Sequence, residues 1–152
     1  MIRPMTSADV DRVLAIAAGL KEAPPWPRAV YEAVLEPATA GRRIALVASD
    51  AETGVIAGFA VASLVPPEGE VETVGVASEF QRRGIARQLV NEIAKNFRTR
   101  GVTKVWLEVR ISNLAAKQLY GSLGFRETDR RPGYYVDPIE DAILMRLDLQ
   151  GD

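Results

Sequence analysis

The stretch QRRGIARQLVNEIAKNF, Gln81 to Phe97, sets Arg82, Arg83 and Arg87 around one glycine at the head of a helical pattern. Leu89, Val90, Ile93, Ala94 and Phe97 recur at the 3.6-residue period, which predicts a helix over Ile85 to Arg100 with its apolar side on a sheet. The start of such a helix carries unsatisfied N–H groups and the positive end of the dipole, and Gly84 with the small Ala86 lets a ligand approach the backbone closely. A strand, a loop and this helix start together make a phosphate cradle. Neither G-x-G-x-x-G nor the P-loop can be written here, because only one Gly is present and no Lys follows it. Read alone, the same residues also suit a solvated helix start beside an ordinary Gly turn.

The 152 residues contain no Cys and no His. Cysteine nucleophiles, disulfides, the usual Cys/His zinc sites and a histidine base are therefore excluded, and acid–base work falls to Asp, Glu, Tyr, Lys or water. A net charge of −1 argues against a nucleic-acid binder, which normally carries a basic domain. No apolar run is long enough to span a membrane, and Met1 leads into a polar segment rather than a signal-peptide pattern, so the cytoplasm and no membrane partner are expected.

Without repeats or a long linker, residues 1–152 are expected to form one domain. Met1 to Met5 reads as a short strand. TSAD, Thr6 to Asp9, has the form of a capping box before a helix over Val10 to Leu20. EAPPWP breaks the chain, and a second helix is predicted over Arg28 to Leu35. Arg43 to Ser49 and Val55 to Leu64 flank DAETG as an antiparallel hairpin, PPEGE interrupts, and Val71 to Val76 is a further strand. GVTKVWLEV supplies the next strand and SNLAAKQLYGSLGF the next helix, capped by Ser112 or Asn113 and ended at Gly124. Strands over Phe125 to Arg130 and Asp141 to Leu147 complete a mixed α/β (α+β) order, β α α β β β α β α β β, around one central sheet.

VGVASEFQRRGIARQLV resembles the signature of the GNAT acetyltransferases, in which a strand ending in Val leads to Gln/Arg-x-x-Gly-x-Gly/Ala at a helix start. Gln81, Arg82, Arg83, Gly84, Ile85 and Ala86 match it position by position. The resemblance implies the GNAT fold, a mixed sheet with helices on both faces, and acetyl-coenzyme A as cosubstrate with its pyrophosphate on the amides from Arg82 to Arg87. Val74 and Val76 would align the pantetheine through backbone groups, as an added strand does. LEVRISNLAAKQLYGSLGF and RRPGYYVDPIEDAILMRLDL are similar to the RimI-type branch, whose enzymes acetylate protein N-termini, in that type a ribosomal protein's.

The same resemblance implies roles for single residues. Glu108 would be the base, directly or through water; as a strand-end Glu it also fits a plain pairing with Arg110. Tyr120 would donate to the leaving thiolate, although a Tyr on the apolar face of a helix suits a core equally. Asn113 would contact the pantetheine arm or cap its helix, and the two are compatible. Tyr134 and Tyr135 would hold the acceptor peptide, or be a paired aromatic in a loop. APPWPRAVYEAVLEP, with Trp26, is similar to the segment that shapes the acceptor site. Glu72, where the RimI type has an apolar residue, and Gly75, where it has Ala, lie on the strand beside that site, so Glu72 is a candidate for acceptor binding.

Acetyl transfer to an amine needs a neutral nucleophile. Neutralising an α-amine at pH 7 costs roughly 1 kcal/mol against roughly 4.6 kcal/mol for Lys, a preference that favours N-termini in a chain without His. Direct attack on the thioester is expected, since no Cys exists to carry the acetyl group, and no metal is needed. A small amine or a Lys side chain is the alternative acceptor, and a non-catalytic acyl-coenzyme A module the more distant one.

Overall fold

The computed structural model describes residues 1–149. Seven strands, β1 (Ile2–Pro4), β2 (Arg43–Ser49), β3 (Ile56–Val65), β4 (Glu68–Val76), β5 (Lys104–Arg110), β6 (Arg126–Tyr135) and β7 (Glu140–Asp148), form one sheet in the order β1-β2-β3-β4-β5-β7-β6. The helices are α1 (Val10–Ala18), α2 (Arg28–Val34), α3 (Ile85–Thr99) and α4 (Leu114–Ser122). This is the predicted order of elements. All neighbouring strands are antiparallel except β4 and β5, whose connection through α3 is the crossover that a parallel pair requires. Among the described residues no helix is long and apolar enough to cross a membrane.

Alternation along the strands feeds two cores. Ile44, Leu46 and Ala48 of β2 join Leu89, Val90, Ile93 and Phe97 of α3 and Tyr120 of α4 on one face, while Val47 joins Val13 and Ile16 of α1 and Tyr31 of α2 on the other. Phe97 is fully buried, and a Cβ on Gly69 would stand 2.7 Å from its ring, so Gly69 is the space into which Phe97 fits. Truncating such a ring to Ala typically costs about 3–5 kcal/mol. Gly75 has the same explanation: a Cβ there would come within 2.6 Å of Phe59. The Gly75 departure thus serves packing within the second core rather than the acceptor side.

Some boundaries differ from expectation. A 3-10 turn at Ser7–Asp9 precedes α1, which stops at Ala18. PPEGE does not interrupt the sheet; after a turn at Pro66 and Pro67 the chain enters β4 at Glu68, because Glu70 can alternate outward while Gly69 and Val71 pack inward. β6 runs to Tyr135 rather than Arg130, so the paired tyrosines end a strand.

One irregularity shapes the rest of the molecule. The β3–β4 register moves from Val61 opposite Thr73 to Ala62 opposite Val71, leaving Glu72 as an extra residue. Such a bulge bends its strand and changes which face the following side chains occupy. β4 and β5 pair only through Glu68, Gly69 and Glu70 with Lys104, Val105 and Trp106, and then diverge.

Candidate active site

At the end of β4 a 3-10 turn (Ser78–Phe80) leads into the loop before α3. Arg82 and Gly84 both adopt left-handed backbone angles, φ 66° and 78°. Gly84 is the N-cap of α3, where no side chain satisfies the first N–H groups and a Cβ would meet nothing within 4 Å. The result is a row of free donors beside open space, as an anion requires. The neighbouring side chains have other partners. Gln81 donates from Nε2 to the Val76 carbonyl at 3.1 Å, Arg83 lies 4.0 Å from Asp50 and over the Phe80 ring, and Arg87 donates to Ser122 Oγ at 2.7 Å, tying α3 to α4. Ile85 packs against the first core. The cradle is therefore main chain, with arginines arranged around it.

The divergence of β4 from β5 opens a cleft of about 880 Å³. Leu107 and Val109 of β5 point into the first core, so Glu108 and Arg110 emerge on the opposite face. Tyr120, Asn113 and Ala116 line the cleft from the α4 side, and Trp26, Glu72, Glu108, Tyr134 and Tyr135 line it from the other, so it passes through the sheet. Val74 lies on its wall; Val76, Gln81 and the cradle lie beyond its lining.

Tyr120 is held by Phe125, edge to face at 5.6 Å, and burial pushes its phenol up to about 12. No hydrogen bond to its hydroxyl comes from the described residues, and it keeps its proton at any physiological pH. Asn113 does cap α4, its Oδ1 accepting from Ala116 N at 3.2 Å, which leaves the amide donors for a ligand. Glu108 keeps Oε2 buried without a hydrogen-bond partner, with Arg131 Nη1 3.7 Å away. Pairing with Arg110, the plain reading, does not occur: Arg110 reaches Glu140 at 3.1 Å instead and stacks over Tyr135 at 4.4 Å.

Tyr134 and Tyr135 meet edge to face at 5.1 Å. Desolvation first, and the Glu108 carboxylate second, push Tyr135 up to about 12. Trp26 is anchored 5.4 Å from the Tyr31 ring of α2. Glu72 is held by Arg43 at 2.7 Å.

Sequence reasoning missed Glu70, Arg131 and Glu140, and gave Arg110 a different partner. Glu140 joins Arg110 to the amide of Ser112 just before α4, and those bonds hold its carboxyl below the ordinary range. Glu68, Glu70 and Glu72 at strand spacing were the available signal for Glu70, and Arg110 stands two residues after Glu108 on the same face.

Residues 12–125 match the model of the acetyltransferase (GNAT) family. This chain is a GNAT protein. It is 45% identical over 94 residues to the [ribosomal protein bS18]-alanine N-acetyltransferase of Salmonella typhimurium, covering 60% of this chain and 64% of that one, so the match spans just under two thirds of that relative. It is 37% identical over 149 residues to the N-alpha-acetyltransferase RimI of Mycobacterium tuberculosis, covering 97% and 91%. The crystal structure of the ribosomal-protein-S18-alanine N-acetyltransferase from Escherichia coli superposes with a TM-score of 0.85 at 31% identity, over 100% of this GNAT chain and 96% of the other. The seven-stranded mixed sheet with helices on both faces is the GNAT fold expected from the sequence.

Proposed function

We propose that this GNAT protein transfers the acetyl group of acetyl-coenzyme A directly onto the N-terminal α-amine of a protein or peptide, acting as one domain in the cytoplasm. The observation that carries the reading is the cleft through the sheet, which brings Glu108 from one face and Tyr120 from the other to a common space. The relatives named for bS18 and for N-alpha acetylation support the same acceptor class, and make a ribosomal protein the first acceptor to try.

Acetyl-coenzyme A supplies an activated thioester. The residues fit it: the uncapped start of α3 offers amides for the pyrophosphate, and the edge of β4 that turns from β5 offers the backbone of Val74 to the pantetheine arm. The carbonyl of Val76 already accepts from Gln81, which braces the strand end. Trp26, Tyr134 and Tyr135 form the wall on the acceptor face, and Glu72, partly neutralised by Arg43, borders it.

Alignment of the two reactants can lower the barrier by about 7–11 kcal/mol. Glu108 takes the amine proton, directly or through water, and Tyr120 gives its proton toward the leaving sulfur, together adding about 10²- to 10⁴-fold per transfer. Mass spectrometry of peptides incubated with acetyl-coenzyme A, with free or blocked N-termini and with or without internal Lys, tests the reading. Acetylation confined to free N-termini is expected. Transfer to Lys or to small amines alone would move the acceptor to those groups, and cofactor binding without transfer to any amine would leave a binding module.

A further inference from the structure

Glu108 gains a proton from each acceptor amine and has to lose it before the next turnover. Both substrates enter the main cleft, so a route that avoids it would let the proton leave while they are bound. A second cavity of about 420 Å³, lined in part by Val65, Glu68, Glu70, Trp106, Glu108 and Arg131, reaches solvent beside Val65, which is 74% exposed. Glu70, Leu107 and Glu108 line both cavities, so the wall between them carries two carboxylates. Glu108 Oε2 is buried and without a hydrogen-bond partner, and the nearest cation, on Arg131, stands 3.7 Å away. A cavity of this volume holds water, which needs only about 30 Å³ per molecule.

We propose that Glu70 relays the proton of Glu108 to solvent through this second cavity. The inference rests on Glu108 being the base. The charged groups facing Glu70 are Glu72 on its own strand, Glu108 on β5, Arg131 on β6 and Arg43 on β2. Desolvation and the two carboxylates outweigh the two arginines and hold its proton to a higher pH than an ordinary Glu, which suits a group that must accept one. The balance is simple. The amine proton passes to Glu108, then through cavity water to Glu70 and out to bulk water, while Tyr120, having given its proton to the thiolate, takes one back from water as the coenzyme A thiol leaves the cleft; both groups return to their starting forms with no change in electrons.

The test uses the full chain, acetyl-coenzyme A and the acceptor amine on which it is most active. Loss of activity in Glu108→Gln checks the underlying reading; a Glu108→Gln enzyme as active as the unaltered one overturns both. With that variant inactive, Glu70→Gln is expected to lower kcat about tenfold while acceptor KM and acetyl-coenzyme A affinity stay within about twofold, less than the roughly 10²- to 10⁴-fold of a direct proton transfer because water still reaches Glu108 through the cavity. Added imidazole, a small diffusible base, should restore kcat in proportion to its concentration, and Glu70→Asp should retain most of the rate. An unchanged kcat in Glu70→Gln, or a loss that imidazole does not reverse, overturns the relay.

Discussion

Tyr120 is a buried phenol whose hydroxyl faces a cleft, and burial keeps it protonated up to about pH 12. A group that never ionises under working conditions serves as a donor rather than a base. Tyr120→Phe keeps the packing on Phe125 and removes only the O–H, so kcat should fall by about 100-fold or more, in the range of a lost proton donor, with acetyl-coenzyme A affinity unchanged. Steady-state rates beside a binding isotherm check this, and an undiminished kcat would assign Tyr120 to the core alone. That Glu108 and Tyr120 would face one cleft was legible because each belongs to a short local pattern. Glu70, Arg110 and Arg131 were not, because their significance comes from neighbours on other strands. Arg110 was read as a partner for Glu108 and shares its strand face, yet the β6–β7 turn brings Glu140, Val136 and Pro138 within its reach instead.

Among the elements, the start of α3 offers the sharpest separation of binding from stability. At φ 78° a side chain on Gly84 costs about 1–2 kcal/mol of backbone strain, and its Cβ would project into open space beside the free amides. Gly84→Val should therefore weaken acetyl-coenzyme A binding at least about tenfold by calorimetry, beyond what the modest strain explains. A variant with full affinity would remove the pyrophosphate assignment. Before α1, Asp9 accepts from Arg3 and from the Thr6 amide at 2.8 Å, which lowers its carboxyl to about 2. A folded value below the unfolded one stabilises above about pH 4 and loses that contribution as pH falls toward 2. Asp9→Asn should thus cost roughly 1.5–3 kcal/mol at pH 7, the scale of hydrogen bonds to a charged group, and almost nothing at pH 2, read by urea unfolding at both pH values.

The order of elements was legible because apolar periodicity is strong in α1, α3, β2 and β5. β6 was read short because Arg126 to Gly133 lies at the sheet edge with both faces in solvent, so nothing alternates, and Pro132 is tolerated there. The capping box of TSAD is present, Asp9 reaching back to the Thr6 amide, and it heads a 3-10 turn that leads into α1.

For the molecule as a whole, the seam between β4 and β5 is held by only three residue pairs, and a ligand lodged in the gap would couple the two parts of the sheet. Acetyl-coenzyme A at 100 times its dissociation constant should add about 2.7 kcal/mol, provided it binds only the folded state. For a chain of this length that corresponds to a rise in Tm of roughly 5–10 °C, measurable by scanning calorimetry. A ligand-independent Tm would contradict binding in the cleft.

The opening itself is a matter of arithmetic along the backbone: β4 carries one residue more than β3 can match, and the surplus falls at Glu72. Removing one residue at Glu72 should therefore restore the register with β3 and close the gap, whereas a change of side chain at that position should leave it open. The opening is thus a property of chain length between two turns, separate from the side chains that face into it.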